Sequence, residues 1–330
     1  MEYRQLGDSK VKASVITFGA WAIGGAMWGG TDEEKSIEAI RKSIELGVTS
    51  IDTAPIYGFG KSEELVAKAI VGQRDKVQLM TKFGLVWEFE EGEYFFDLID
   101  GGKAHKIYRN ARKKNIIREC ENSLKRLKTD YIDLYQCHWR DNSLALDETM
   151  EALGQLIKDG KILAAGVSNF TAAEIAEGSK ITPIASVQPP YSMVNRDIEK
   201  ELLPYCLAHN VGVIVYSPLQ RGVLTGKFKP DHKFPEEDHR ANQPQFTPEN
   251  IERINKFLET IKPIADSYNA TVGQLVICWT IAQPGVSAAI VGARDAAQAE
   301  QNAKAAQLNV SPADIDLITK RLQALELAAV

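Results

Sequence analysis

The chain has 330 residues, 44% of them hydrophobic and 25% charged, so it can bury a large core without disulfides or metals. Its net charge is −5 and it carries no basic tract, which excludes the electrostatic footprint of a nucleic-acid binder. The polar start Met1-Glu2-Tyr3-Arg4-Gln5 reads as no signal peptide, and the apolar run Val211–Tyr216 is too short to span a bilayer. Cys120, Cys137, Cys206 and Cys278 form no metal-binding spacing and read as reduced, mostly buried thiols. These features predict a cytoplasmic protein, a monomer or weak homo-oligomer, with no metal, membrane or nucleic acid as partner.

In chain order, Tyr3–Leu6 and Val11–Val15 read as a small hairpin, followed by a first strand at Val15–Ala20. Thr31-Asp32-Glu33-Glu34 reads as a capping box, with its helix ending at Gly47. Strands are predicted at Val48–Asp52 and Val77–Lys82, then a long connection from about Trp87 to Asn115. Ile116, Cys120, Leu124 and Leu127 recur at helical spacing, and Tyr131–His138 is the next strand. Leu146, Met150, Leu153 and Ile157 mark a helix terminated by Gly160. Strands follow at Ile162–Val167, Ile184–Gln188 and Val211–Ser217, then a second long connection, Gln220–Asn250. A helix over 251–268, a helix opened by Thr271-Val272-Gly273-Gln274 and the strand Val286–Val291 come next. Ser311-Pro312-Ala313-Asp314 opens a last helix over 313–326. Most of the eight later strands are near-continuous apolar runs, the pattern of strands covered on both faces. Eight of them alternating with helices give an α/β fold, the (β/α)8 barrel, over a single domain of residues 1–330. The hairpin, the two long mouth connections and the C-terminal helices are additions to it.

Asp52, Tyr57, Lys82 and His138 lie at or just past the C-terminal ends of three of these strands. A strand interior has no use for Lys or His, whereas the C-terminal mouth of a β/α barrel is where such folds place their chemistry. An acid, a cation and an imidazole converging on one tyrosine suit proton transfer. A neighbouring ammonium lowers a tyrosine pKa, and a carboxylate keeps that ammonium charged. His105, His209, His232 and His239 lack such a context and read as surface residues. Gly58-x-Gly60 is an incomplete dinucleotide fingerprint, so a cofactor must be held by barrel loops.

Asp52-x-x-x-x-Tyr57-Gly58, Thr81-Lys82 and Gln136-x-His138 resemble the signature of the aldo-keto reductase family. Gly166-Val167-Ser168-Asn169-Phe170, Gln188-Pro189-Pro190-Tyr191, Tyr216–Lys227 and Val291-Gly292-Ala293-Arg294 resemble its cofactor-binding stretches, in order along the chain. The Trp21–Gly30 pattern resembles bacterial general-stress and inositol-operon-type members. The resemblance implies NADPH/NADP+ as cofactor and reduction of an aldehyde or ketone. Tyr57 would be the proton donor, Lys82 and Asp52 its tuning pair, and His138 the group orienting the carbonyl. It implies Ser168, Asn169 and Gln188 on the nicotinamide carboxamide, with Tyr216 stacked on the ring. Ser217, Pro218, Leu219, Arg221, Gly222, Leu224 and Lys227 would surround the cofactor. Gly19, Ala20, Trp21 and Asp52 would border it, and Gly292, Arg294, Gln298 and Asn302 would take the adenosine phosphate.

Trp21, Trp28, Trp87 and Trp139 fall at predicted strand mouths, where aromatic walls suit the apolar faces of sugars, polyols or aryl aldehydes. Together with Tyr57, His138 and Arg140 they form the expected substrate site. Arg140, in place of the family's usual proline, favours hydroxylated or anionic carbonyl compounds. Trp279, on a predicted helix, reads as core. Two other readings compete: a non-catalytic NADP(H)-binding regulatory subunit, and a lyase or isomerase forming a Schiff base on Lys82. The second needs a neutral lysine, against which Asp52 argues.

Overall fold

The computed structural model describes residues 1–26, 28, 30–234, 238 and 240–328. Met27 and Gly29 of the Trp21–Gly30 pattern, and His239, lie outside the described residues. The chain opens with an antiparallel hairpin, β1 (Tyr3–Gln5) and β2 (Lys12–Ser14). Next come β3 (Ile16–Gly19), β4 (Ser50–Asp52) and β5 (Gln78–Phe83). The short strands β6 (Leu85–Val86), β7 (Glu93–Asp100) and β8 (Lys103–Arg109) form a separate antiparallel sheet. The remaining strands are β9 (Ile132–Cys137), β10 (Ile162–Ser168), β11 (Ile184–Gln188), β12 (Gly212–Tyr216) and β13 (Ala288–Gly292).

Among the described residues, β3, β4, β5, β9, β10, β11, β12 and β13 close into one parallel barrel, β13 pairing back to β3. This is the (β/α)8 architecture that the alternation implies. The helices are α1 (Glu33–Glu45), α2 (Lys61–Ala69), α3 (Lys113–Leu127), α4 (Leu146–Lys158) and α5 (Ala172–Gly178). They continue as α6 (Leu202–Ala208), α7 (Pro248–Ser267), α8 (Val272–Ile281), α9 (Ala296–Ala305) and α10 (Pro312–Leu322). Two cores result. Met80, Leu134, Ala164, Ile214, Ala288 and Ile290 fill the barrel, plugged below by Leu6, Val11 and Ala13 of the hairpin. The larger core lies between the strands and the helices and includes Ile51, Leu79, Ile132, Val167 and Val213.

Local caps explain several boundaries. Thr271 and Gln274 form a reciprocal capping box at α8, and Ser311 caps α10. At α1 the cap is Asp32, whose carboxylate accepts from Lys35 N at 3.2 Å. Thr31 lies one residue too early and bonds Ser36 Oγ instead, so the expected capping box is replaced by an Asp cap. His105 also departs from expectation: it is half-buried, with its ring 4.6 Å from Phe59.

The connection over 87–115 is a three-stranded sheet, not an irregular loop. Gly101 and Gly102 have φ of 56° and 76°, the left-handed pair that a two-residue hairpin turn demands. Leu98 and Ile107 are buried beneath it. A register shift between Tyr94 and Phe96 leaves Phe95 and Phe96 both half-buried, which breaks the alternation that would have announced the strand.

Glu119 on α3 fastens this sheet to the barrel. It is 6% exposed, and both its oxygens accept from Gly84 N, between β5 and β6, at 3.1 and 3.2 Å. Burial pushes its pKa from an ordinary 4.5 up to about 8, against the opposing pull of the Gly84 amide and Arg118. A folded pKa above the unfolded one means stability is present at acid pH and lost as pH rises through the folded value. Glu119→Gln is therefore expected to flatten the decline in Tm between about pH 5 and about pH 8 relative to the parent. Thermal melts across that range check it; parallel pH dependences in both proteins would show that Glu119 does not titrate there.

Candidate active site

The barrel register brings the four chemistry-bearing residues to one mouth. Asp52 ends β4, Lys82 is the fifth residue of β5, His138 follows β9, and Tyr57 stands in the turn between β4 and α2. Lys82 Nζ donates to Asp52 Oδ1 at 2.6 Å, to Thr53 O at 2.9 Å and to Tyr57 Oη at 3.2 Å. Lys82 is fully buried and Asp52 nearly so. The Tyr57 and His138 rings meet edge-on at 5.8 Å. Because Tyr57 oxygen accepts from Lys82, its own proton is left to point elsewhere in the mouth.

The electrostatics differ in one respect from the reading of the sequence. Burial alone pulls the Lys82 ammonium down, but Asp52 and Tyr57 outweigh it and leave its pKa raised. Burial raises the Tyr57 phenol, Lys82 opposes it, and Asp52 adds to the rise, so the net shift is upward. The expected lowering of the tyrosine by Lys82 is therefore present but outweighed, chiefly by burial and then by Asp52. Tyr57 thus rests as a neutral phenol, a proton donor. Burial, then Lys82, hold His138 well below the usual imidazole range, so it is a neutral hydrogen-bonding group. A charged, triply engaged Lys82 does not suit Schiff-base chemistry.

The amide groups of the mouth are knitted together. Gln188 Nε2 donates to Asp52 Oδ2 at 2.8 Å and to Gln136 Oε1 at 3.1 Å. Ser168 Oγ donates to Gln188 O, and Asn169 Nδ2 to His138 O and Ser168 Oγ. Tyr216 Oη donates to Asn169 Oδ1 at 2.9 Å. Asn169 and Ser217 take the left-handed φ values of 60° and 58°, which turn the chain sharply at the strand ends. Gly19 ends β3 opposite Asp52, and Ala20 follows it, its N donating to Asp52 O. Pro218 and Leu219 continue the turn after Tyr216, whereas the Leu224 side chain is fully buried in the outer core.

A cationic rim borders this mouth. Trp21 and Trp28 pack edge-to-face at 5.2 Å. The Arg221 guanidinium lies 5.9 Å from the Trp21 ring; those of Arg240 and Arg294 lie 5.3 and 5.6 Å from Trp28. Lys227 is exposed beside Gly222. Arg294 donates to Trp28 O, and Arg240 makes a bidentate pair with Asp238. Gln298 Oε1 accepts from Arg294 N, its amide donates to Asp295, and Asn302 donates to Gly292 O. Arg240 escaped the sequence reading; only its place in the long 220–250 connection pointed to it.

A phosphorylated dinucleotide fits this rim. The Nε of Arg221 is buried and has no hydrogen-bond partner, and burial, with Arg240, lowers the pKa of its guanidinium. A half-buried guanidinium with an unpaired donor is what a phosphate relieves.

Further out, Trp87 packs on Phe59 at 5.3 Å and Trp139 on Phe95 at 5.3 Å, against the sheet of β6–β8. Arg109 lies 3.8 Å over Phe95. Arg140 donates to Glu174 Oε1 at 2.9 Å, while Asp141 caps Ala111 N and Ser143 N. Arg140 is thus tied to the capping box of α5. Trp279 is fully buried on α8. Among the described residues no group of three or more His, Cys, Asp or Glu could hold a metal, and no helix is long and apolar enough to cross a membrane.

An eight-stranded parallel barrel with a Lys, Asp, Tyr and His set at its mouth and a cationic rim defines a nucleotide-dependent oxidoreductase. The chain belongs to the aldo/keto reductase family, whose model matches residues 15–323. It is 41% identical to the aldo-keto reductase YhdN of Bacillus subtilis over 303 residues, 91% of this chain and 87% of that one. It is 35% identical to the NADH-specific methylglyoxal reductase of Escherichia coli over 327 residues, 97% and 98% of the two chains. The glycerol dehydrogenase AKR11B4 from Gluconobacter oxydans superposes with a TM-score of 0.88 at 34% identity, covering 99% and 97%. An aldo/keto reductase from Klebsiella pneumoniae, in complex with NADP and acetate, superposes at 0.71 with 29% identity, covering 97% of each chain. As a member of that family the protein is an oxidoreductase acting on an aldehyde or ketone.

Arg221→Met keeps the stem over Trp21 and removes the charge. The NADPH dissociation constant is expected to rise about ten- to hundredfold, the range of one charged hydrogen bond. The Tm without cofactor should hold or rise, because a half-buried cation with an unpaired Nε is lost. Fluorescence titration and melts check both; unchanged affinity would remove Arg221 from the cofactor site.

Proposed function

We propose that the catalytic set is Tyr57, Lys82, Asp52 and His138, acting in one domain over residues 1–330. The observation that carries this reading is the Lys82 ammonium in contact with both Asp52 and Tyr57. When bound, the reduced nicotinamide supplies a hydride to the carbonyl carbon. Tyr57 gives its proton to the carbonyl oxygen as that hydride arrives. His138, neutral, donates a hydrogen bond to the same oxygen and fixes its direction. The tyrosinate left behind is stabilised by Lys82, whose charge is no longer matched by Asp52 alone once a second anion forms beside it. In the oxidative direction the same residues run in reverse, with Tyr57 accepting the alcohol proton.

The cofactor is assigned to Ser168, Asn169, Gln188 and Tyr216 at the nicotinamide end and to Arg221, Lys227, Arg240 and Arg294 at the phosphates. Trp21, Trp28, Trp87, Trp139, Phe95 and His138 border the substrate. Their rings favour a carbonyl compound with an extended apolar face, a sugar or polyol ring included. The names of the relatives, a glycerol dehydrogenase and a methylglyoxal reductase, support small oxygenated substrates. Arg140 is assigned to Glu174 and the mouth's structure, not to substrate. The chain is read as a general-stress-type member, cytoplasmic, a monomer or weak homo-oligomer, with no nucleic-acid partner, in line with its charge and composition.

Tyr57→Phe is expected to lose turnover by about a hundredfold or more while NADPH affinity stays near the parent value. Steady-state assays on a short aldehyde and fluorescence titration decide it. Turnover close to the parent's in that variant would remove Tyr57 as proton donor.

A further inference from the structure

Gln136 belongs to no ion pair, yet it is fully buried beside the Lys82–Asp52 contact. Lys82 is its partner across the β5–β9 ladder, and Gly166 its partner across β9–β10. Its Nε2 donates to Asp52 Oδ2 at 3.2 Å, and its Oε1 accepts from Gln188 Nε2 at 3.1 Å. Gln188 donates to that same Asp52 oxygen at 2.8 Å. Lys82 uses the other oxygen, Oδ1. Three side chains from β4, β9 and β11 therefore close a triangle. Gly166 makes room for it, since a Cβ there would stand 3.0 Å from Gln136 Cγ.

We propose that Gln136 is a positioning residue for proton transfer: with Gln188 it donates to the carboxylate oxygen that Lys82 leaves free, keeping Asp52 an anion and the pair's proton on Lys82. A lysine and an aspartate in contact away from water can neutralise each other by moving one proton, Nζ–H breaking and Oδ–H forming. Hydrogen bonds to the carboxylate oppose this, because they favour its charged form. An amide suits the task since it donates and does not titrate. The titratable groups facing it are Asp52 on β4, Lys82 on β5, Tyr57 after β4 and His138 after β9. Were the pair to neutralise, no ammonium would face Tyr57 when its proton leaves for the carbonyl oxygen. Gln136 acts through Asp52 and Lys82 and touches no reacting atom. The inference rests on Tyr57 as the proton donor.

Two variants test it. Gln136→Met keeps length and volume but has no donor. It should lower kcat for reduction about tenfold or more, within the span general acid catalysis supplies, with NADPH affinity within about threefold of the parent. Its acid limb for alcohol oxidation should move to higher pH, because Tyr57 ionises less readily without a charged Lys82. Gln136→Glu should recover activity as pH falls, where a protonated carboxyl donates to Asp52 as the amide did. It should lose activity as pH rises and two carboxylates face each other. Parent-like kcat and pH profile in Gln136→Met overturn the proposal. So does loss of NADPH binding in step with turnover, which would mark a structural or cofactor-seating role, and so does a Glu variant with no acid recovery. Tyr57→Phe is run alongside: if it retains turnover, the reading of Tyr57 has failed, a result distinct from failure of the Gln136 assignment.

Discussion

Lys82 and Asp52 are both taken out of water at a contact of 2.6 Å, and the mouth is arranged around holding that pair charged. Desolvating two ions is costly, and their mutual attraction offsets it only when the remaining donors and acceptors are satisfied. Here they are. The ammonium spends its other hydrogens on Thr53 O and Tyr57 Oη, and the carboxylate takes two amide donors on its far oxygen. The same pair that costs stability in the folded chain puts a cation against the Tyr57 phenol. Neutral Tyr57 and neutral His138 follow from burial in a site whose formal charges cancel.

That arrangement depends on the barrel's register. The side chains converge because Asp52, Lys82, Gln136, Ser168 and Gln188 sit near the same level at the C-terminal ends of five strands that are hydrogen-bonded in one ring. Parallel strands place equivalent residues side by side, and closure turns a row into a circle. The plugged bottom, with Leu6, Val11 and Ala13 under the interior core, leaves the other end for chemistry. Left-handed backbone at Asn169, Ser217, Gln220 and Arg221 follows β10 and β12 at that end, where the chain must leave the strands abruptly.

Much of this was legible in the sequence. The eight strands lie within a residue or two of where continuous apolar runs place them, since burial on both faces leaves no ambiguity of phase. Asp52, Tyr57, Lys82 and His138 stand out because polar groups at the ends of such runs have no packing reason to be there. The sheet of β6–β8 was hidden by the shift at Phe95, which spoils a period of two, although the Gly101-Gly102 turn was its available signal. Arg240 was hidden because its partners, Asp238 and Trp28, are joined to it only by a loop path that no periodicity encodes.

By itself the sequence determined the fold class, the candidate residues for the chemistry and the family to which they point. These are one-dimensional properties: hydrophobic period, strand-end polarity and short motifs. Only the tertiary structure decided how those residues are charged and tied. It paired Arg140 with Glu174, drew Gln298 to Asp295, gave Gln136 a place on Asp52 and left Tyr57 a raised pKa in place of a lowered one. Desolvation and hydrogen-bond geometry depend on what surrounds a group in three dimensions, and residues 84 and 136 positions apart in sequence share the one carboxylate on which the site rests.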